Sequence, residues 1–179
     1  MKLIILDRDG VINHDSDDYI KSVDEWLPVP GSLEAIARLY QDGYRILVAS
    51  NQAGLALGKF NIEALNTIHQ NMLSRLSQYG GTIEAIFFCP HAPDGGCECR
   101  KPKPGLFNEI ARRVRISLEG ITSVGDKLSD IEAAKASGAS PVLVKTGRGE
   151  ALVNAGKVPG DVPVFNDLSE VVDALLATD

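Results

Sequence analysis

Long apolar runs, an excess of basic charge and cysteine are all scarce in this chain of 179 residues. No apolar run approaches the roughly 18 residues of a membrane span, since the longest are stretches such as Leu3-Ile4-Ile5-Leu6. The N-terminal run stops at Asp7, which is too short for a signal-peptide core of about 7–15 residues. The 18 Lys and Arg against 24 Asp and Glu give a net charge of −6, which argues against nucleic-acid or anionic-membrane binding. We therefore expect a cytoplasmic protein without nucleic-acid or membrane partners.

The three cysteines, Cys89, Cys97 and Cys99, lie close together and enclose His91. An odd number of cysteines without a secretion signal is a poor disulfide framework. Together the four side chains are a full tetrahedral ligand set for Zn²⁺, which leaves no open position for water and so predicts a structural metal. The alternative is three buried apolar cysteines and a surface histidine, but the Pro- and Gly-rich segment between them favours a loop. We expect zinc to order a loop over residues 89–103.

Short apolar segments alternate with segments of helical period along the whole chain. Strands that are apolar throughout are buried on both faces, and their alternation with helices predicts an α/β fold with a doubly wound, Rossmann-like parallel sheet. The connection from Gly10 to Pro30 is too short for a separate cap domain of about 50 residues or more. We expect one domain over residues 1–179. The predicted strands are 2–6, 44–49, 83–88, 121–124, 141–144 and 162–165, and the predicted helices are 32–41, 61–79, 104–114, 129–136 and 167–176.

Carboxylates follow two of the predicted strands, at the sheet edge where doubly wound proteins bind ligands. Asp7 and Asp9 follow the first strand, and Asp126 follows the fourth. Each alone could be a helix cap, but three at one edge favour a site. Close carboxylates repel one another unless a cation lies between them, and Mg²⁺ prefers oxygen ligands. One carboxylate of the first pair could attack an electrophile while its neighbour transfers a proton.

Polar and basic residues follow the other strands. Ser50 and Asn51 offer a hydroxyl and an amide after the second strand, and Arg100 and Lys101 stand in a Pro-stiffened segment before a helix. Taken singly, these are an ordinary turn and a solvated basic loop. Beside an acidic metal site they favour phosphoryl transfer, in which catalysis is mostly positioning and charge stabilisation.

The chain resembles the haloacid-dehalogenase-like phosphatases in four motifs that occur in the family's order: Asp7-Arg8-Asp9-Gly10, Ser50-Asn51, Lys101-Pro102 and Gly125-Asp126-Lys127-Leu128-Ser129-Asp130. The cysteine and histidine segment is similar to that of the zinc-loop branch. Within this branch the motifs are more similar to those of heptose-bisphosphate phosphatases than to those of histidinol-phosphate phosphatases.

The resemblance implies a role for each motif residue. Asp7 is expected to be the nucleophile that forms an aspartyl-phosphate, and Asp9 the general acid and then the general base. Mg²⁺ is expected to be held by the Asp7 carboxylate, the Asp9 main-chain carbonyl and Asp126. Ser50 and Lys101 are expected to hold the transferring phosphoryl group.

Other roles implied by the resemblance concern substrate recognition. Asn51 is expected near the phosphoryl group, Arg100 and Lys127 at the rest of an anionic substrate, and the segment from Asp15 to Tyr19 at the sugar. Asp130 is expected to support the magnesium ligands without contacting the cation. Independently of the resemblance, His69 lies within the long helix predicted over residues 61–79, and we expect it on the surface of that helix.

The function that this resemblance implies is magnesium-dependent hydrolysis of the 7-phosphate of a heptose bisphosphate, in the biosynthesis of nucleotide-activated heptoses. Separately, no segment is left over for an obvious interface, so we expect a monomer. A histidinol-phosphate phosphatase is the nearest alternative, with the same chemistry but a different recognition rim. A non-enzymatic phosphoacceptor or zinc-organised binding module is an alternative of another class. Asp9 discriminates between these classes, because an acceptor that does not turn over needs no acid–base group beside the nucleophile.

Overall fold

A computed structural model describes residues 2–178, in which strands and helices alternate. The strands are β1 Leu3–Leu6, β2 Arg45–Asn51, β3 Ala85–Cys89, β4 Thr122–Gly125, β5 Ser140–Val144 and β6 Val164–Phe165. The helices are α1 Ser32–Gln41, α2 Ile62–Ser77, α3 Gly105–Val114, α4 Leu128–Ala136, α5 Gly149–Asn154 and α6 Leu168–Ala177.

All six strands join one parallel sheet in the order β3-β2-β1-β4-β5-β6. The chain runs outward from β1 to β3 on one side and from β4 to β6 on the other, so the strand order reverses between β1 and β4. Connections leave the sheet in opposite directions at such a point, which opens a crevice beyond the carboxyl ends of the strands. The two longest connections, residues 7–31 and 90–104, both start at this edge.

Helices cover both faces of the sheet. Ile4 and Leu6 of β1 pack on one face with apolar residues of α1, α2 and α6. Leu3 and Ile5 pack on the other face with residues of α3 and α4. A strand enclosed in this way has no side exposed to water, which is why its sequence shows no alternation between apolar and polar residues. Among residues 2–178, no helix is both long enough and apolar enough to cross a membrane.

The structure confirms the predicted fold class and differs from the predicted elements in small ways. The short helix α5 was not predicted, because its six residues span less than two turns and carry little periodic pattern. Helix α2 begins one residue later than expected, since Asn61 is its N-cap and its side chain accepts a hydrogen bond from the Ala64 N–H. The last strand contains only Val164 and Phe165.

Candidate active site

A cavity of about 360 Å³ opens at the carboxyl edge of the sheet. Its wall brings together residues from five separate segments of the chain, each of which lies at or after the carboxyl end of β1, β2, β3 or β4. It is lined by Asp7, Asp9, Asp15, Ser16, Tyr19, Asn51, Ala53, Arg100, Lys101, Pro102, Lys127, Ser129 and Asp130.

Three carboxylates, from Asp7, Asp126 and Asp130, converge beside this cavity. Each offers an oxygen, and the three oxygens lie within 4.8 Å of one another. Burial and repulsion from Asp130 raise the pKa of Asp7 to about 7, although the positive charges of Lys101 and Lys127 act to lower it. Burial likewise raises the pKa of Asp126 to about 6. Crowded anions of raised pKa are stabilised by an added cation, and their oxygen donors match the preference of Mg²⁺.

The main chain fixes the Asp126 carboxylate from two sides. Gly10 has φ 86° and Gly147 has φ 60°, and a Cβ atom at either position would collide with this carboxylate. The Arg148 N–H donates to Asp126 Oδ2 at 2.8 Å. The Thr146 hydroxyl joins the two loops by donating to the Gly10 carbonyl at 2.6 Å. Only glycine permits the approach of both loops to the carboxylate.

Lys101 is a buried cation between two of the carboxylates. Its Nζ donates to Asp7 Oδ1 at 3.0 Å, to Asp130 Oδ1 at 2.6 Å and to the Ala49 carbonyl at 2.7 Å. Burial opposes its charge, but Asp130 and Asp7 outweigh burial and raise the pKa of Lys101. Lys101 is therefore charged and already directed at the Asp7 carboxylate.

Asn51 holds the main chain of Lys101 in place. Its side-chain Nδ2 donates to the Lys101 carbonyl and its Oδ1 accepts from the Lys101 N–H, both at 3.1 Å. Asn51 also lines the cavity, and its two hydrogen bonds hold the main chain of the lysine. The end of β2 thus orients a residue that lies 50 positions further along the chain.

Asp130 lies in the first turn of α4 and contacts the start of that helix as well as Lys101. Its Oδ2 accepts hydrogen bonds from the N–H groups of Asp126 and Lys127, at 3.1 and 3.0 Å. Both of its oxygens therefore already accept hydrogen bonds within the protein. This arrangement favours the supporting position expected from the sequence over direct contact with a cation.

The rim of the cavity carries a network of opposite charges. Lys127 Nζ lies 2.7 Å from Asp126 Oδ1 and 3.6 Å from Asp15 Oδ2. Arg148 donates from Nε to Asp15 Oδ2 at 2.9 Å and also pairs with Asp17. Arg148 was not identified from the sequence, because it follows no motif and precedes a helix too short to be predicted. The network links the segment around Asp15 to the loop that carries the Asp126 contact.

Tyr19 and Ser50, two further residues predicted to belong to the site, differ in their position relative to the cavity. Tyr19 lines it with φ 63°, a left-handed conformation that is rare outside glycine. Ser50 is fully buried and is not among the lining residues, and its Oγ accepts a hydrogen bond from Gln52 Nε2 at 2.8 Å. The role of Ser50 in holding a phosphoryl group stays a prediction.

Asp9 is held by three strong hydrogen-bond donors on one oxygen. Its Oδ1 accepts from Arg8 Nε at 3.0 Å, from Arg8 Nη2 at 2.9 Å and from Asn13 Nδ2 at 2.9 Å. Burial alone raises the pKa of Asp9, but Arg8 and Asn13 outweigh burial and hold the pKa below its ordinary value. In this structure Asp9 is therefore the ionised, base form.

His69 is buried, so the prediction of a surface position was wrong. Its exposed fraction is 7%, and its Nε2 lies 3.1 Å from Arg8 Nη1. Helical spacing could have predicted this burial. His69 follows Leu65 by four residues and precedes Met72 by three, which places it on the apolar face of α2. Burial, and then the charge of Arg8, lower the pKa of His69 to about 4, so the ring is neutral at pH 7.

The cysteine and histidine side chains converge in the loop that precedes Lys101. The Cys99 and Cys89 sulfurs lie 3.1 Å apart and the Cys89 and Cys97 sulfurs 3.6 Å apart, and His91 Nδ1 is 3.2 Å from the Cys99 sulfur. Zn–S bonds of about 2.3 Å in a tetrahedron place sulfurs about 3.8 Å apart. The three cysteines are free thiols, and the four ligand atoms lie within 4.8 Å of one another. The cluster is therefore of a size to hold zinc.

Known proteins are similar to this chain along nearly its whole length. The chain is 52% identical over 176 residues to D-glycero-beta-D-manno-heptose-1,7-bisphosphate 7-phosphatase of Bordetella bronchiseptica, covering 98% of each chain. It is 49% identical to the enzyme of that name in Pseudomonas putida, covering 98% of this chain and 100% of the relative. The chain belongs to the heptose-bisphosphate phosphatase family.

Structural comparison agrees with this family membership. The crystal structure of D,D-heptose 1,7-bisphosphate phosphatase from B. bronchiseptica, complexed with magnesium and phosphate, superimposes with a TM-score of 0.98 at 51% identity, over all of both chains. The Burkholderia thailandensis enzyme gives a TM-score of 0.78 at 39% identity, over 99% of each chain. The HAD-hydrolase-like family profile matches residues 98–171. This chain therefore shares the hydrolase fold of its family.

Proposed function

We propose that this chain is a magnesium-dependent phosphatase that removes the 7-phosphate of D-glycero-β-D-manno-heptose 1,7-bisphosphate. Relatives that are 52% and 49% identical along nearly their whole length support this substrate. One observation carries the chemistry: Asp7 lies in the cavity wall with Lys101 Nζ at 3.0 Å and two further carboxylates close to it. The product would enter the biosynthesis of nucleotide-activated heptoses. We further propose a monomer of one domain that acts in the cytoplasm.

The proposed magnesium ligands are the Asp7 carboxylate, the Asp9 main-chain carbonyl and Asp126. The raised pKa values of Asp7 and Asp126 support this assignment, because carboxylates that lack enough counter-charge gain most from a cation. Magnesium, when bound, supplies positive charge that offsets the phosphoryl oxygens and the carboxylates around them.

In the first half of the proposed reaction an Asp7 oxygen attacks the phosphorus of the 7-phosphate. The new bond forms as the bond from phosphorus to the sugar oxygen breaks, and protonated Asp9 gives its proton to that oxygen. An incoming phosphate ester brings negative charge next to Asp9, and negative charge raises the pKa of a carboxyl group toward the form that the acid step requires.

In the second half, ionised Asp9 takes a proton from water as the water oxygen attacks the phosphorus of the aspartyl-phosphate. The bond from Asp7 to phosphorus then breaks, inorganic phosphate is released and the Asp7 carboxylate is regenerated. The ionised Asp9 of this structure is the form that this step needs. Lys101, with Ser50, would hold the phosphoryl oxygens through both halves.

The rest of the substrate would contact the rim. Arg100 lines the cavity, and its Nη1 is buried and has no hydrogen-bond partner among residues 2–178. A buried donor without a partner is costly, and the second phosphate of a bisphosphate would satisfy it. Lys127 provides a second cation on the same wall, and the segment from Asp15 to Tyr19 would contact the sugar.

We propose that the four-ligand cluster of residues 89–99 binds structural zinc. The four ligands leave no position for a reacting water. The metal would fix the loop whose end carries Arg100 and Lys101, so its effect on catalysis would be to position these two cations.

Phosphate release from a panel of esters tests the proposed function. We expect kcat/KM for the heptose bisphosphate to exceed that for generic phosphomonoesters by about 100-fold, and to exceed that for histidinol phosphate. Rapid-quench labelling should find an acyl phosphate on Asp7 and none in Asp7→Asn, and Asp9→Asn should lose turnover. A preference for histidinol phosphate would reassign the substrate. Turnover without a labelled Asp7 would reject the mechanism, and labelling without turnover would indicate a phosphoacceptor.

A further inference from the structure

A fully buried guanidinium lies beside the proposed acid–base residue. Arg8 has no exposed surface and stands between Asp7 and Asp9 in the sequence. Its Nε and Nη2 both donate to Asp9 Oδ1, at 3.0 and 2.9 Å. Two donors from one rigid, planar group fix the direction of the carboxylate as well as its distance.

The third nitrogen of Arg8 is held by α2. Arg8 Nη1 lies 3.1 Å from His69 Nε2, and both side chains are buried. Arginine carries no acceptor, so His69 Nε2 must accept this hydrogen bond, and the ring must be neutral with its proton on Nδ1. The two partners of Arg8 thus lie on opposite sides of its guanidinium, the carboxylate on one and the helix on the other.

The contacts on Asp9 distinguish its two oxygens. Oδ1 accepts from Arg8 twice and from Asn13 Nδ2 at 2.9 Å, so it has no capacity left for a proton. Oδ2 has one long contact, from Gln52 Nε2 at 3.4 Å. The transferable proton therefore belongs on Oδ2, and the orientation of Arg8 decides where Oδ2 points.

We propose that His69 is a positioning residue which, through Arg8, aims Asp9 Oδ2 at the leaving oxygen of the substrate. The inference rests on the proposed function, since it assigns a task to an acid–base residue. His69 is not among the cavity-lining residues, and the Arg8 guanidinium that it contacts in turn contacts Asp9.

A matched pair of variants separates positioning from packing. In His69→Gln the amide oxygen can take the place of Nε2 and accept from Arg8, whereas His69→Met has similar length and no comparable acceptor. Ile68→Ala, at a buried neighbouring position of α2, reports the effect of a weakened helix alone. Should His69→Met fail to fold, His69→Asn replaces it, because its amide is one methylene too short to reach Arg8.

The readout is the single-turnover rate of Asp7 phosphorylation from two donors, the heptose bisphosphate and 4-nitrophenyl phosphate. An alkyl oxygen needs a proton to leave, whereas nitrophenolate leaves with little help. We expect His69→Met to lower the heptose rate about tenfold more than the nitrophenyl rate, with kcat affected more than KM. His69→Gln should restore the ratio of the two rates to near that of the wild type.

Each outcome decides between positioning and packing. If both donors slow equally in His69→Met, as expected for Ile68→Ala, then His69 only stabilises the fold and the inference is overturned. The same conclusion follows if His69→Gln behaves as His69→Met does. If the wild type itself forms no acyl phosphate, the proposed function fails. If the wild type forms it normally but the ratio of the two phosphorylation rates is unchanged in the His69 variants, only the inference about His69 fails.

Discussion

We predict that protonation of His69 in mild acid opposes folding, and that His69→Gln removes this contribution. Burial and the neighbouring Arg8 lower the pKa of His69 to about 4 in the folded protein, from an ordinary value of 6.5. Between these pH values the unfolded chain binds a proton at this position that the folded protein does not bind. The contribution of His69 to the free energy of unfolding therefore falls as the pH falls, and this contribution is nearly constant well above pH 6.5.

The size of the effect follows from the two pKa values. The slope is about 1.4 kcal/mol per pH unit in the middle of the range. Between pH 7 and pH 5 the loss attributable to His69 is about 2 kcal/mol. Asp7 and Asp126 have raised pKa values and contribute the opposite slope, since their protonation stabilises the folded state as the pH falls. Both carboxylates are present in His69→Gln, so their contribution cancels in the difference between the two proteins.

Urea unfolding at pH 7, 6 and 5 measures this difference. Trp26 is the single tryptophan and is 1% exposed, so its fluorescence reports unfolding of the core. We expect the free energy of unfolding of the wild type, relative to that of His69→Gln, to fall by about 2 kcal/mol from pH 7 to pH 5. Parallel curves for the two proteins would refute the argument, because His69 would then have the same pKa in the folded and unfolded states.

Three further predictions concern the loop that carries Lys101. Asn51→Ala should lower the free energy of unfolding in urea by about 1–2 kcal/mol and lower kcat by at least tenfold, because both hydrogen bonds to the Lys101 main chain are lost. An unchanged kcat would contradict this role of Asn51. Lys101→Met should lower the free energy of unfolding in urea by about 3–5 kcal/mol at pH 7, because Asp7 and Asp130 lose their buried counter-ion. An unchanged free energy of unfolding would show that other groups balance the charges of these two carboxylates. Cys97→Ser should lower the zinc content found by metal analysis and speed proteolysis within residues 89–103, and full zinc retention would exclude Cys97 as a ligand.

The sequence by itself determined the layers of the fold and the edge at which the site lies. Apolar strands without alternation can only be buried on both faces, and parallel strands place the residues that follow them at one edge of the sheet. Asp7, Asp9 and Asp126 were found by this argument, because each lies within three residues of the end of such a strand. The cysteine and histidine cluster was equally accessible, because its four ligands lie within eleven consecutive positions.

Only the tertiary structure decided which side chains hold the catalytic groups in place. Asn51 orients Lys101 across 50 positions, and Arg148 reaches Asp126 across 22. Arg8 lies within a recognised motif, yet its role depends on His69, which is 61 positions away on α2. Contacts of this kind depend on how helices and loops pack on the sheet. Local spacing in the sequence predicts which face of a helix or strand a residue occupies, but it does not predict which residue it contacts there. The positions of the proposed reacting groups follow from the strands, whereas their orientation and charge follow from packing.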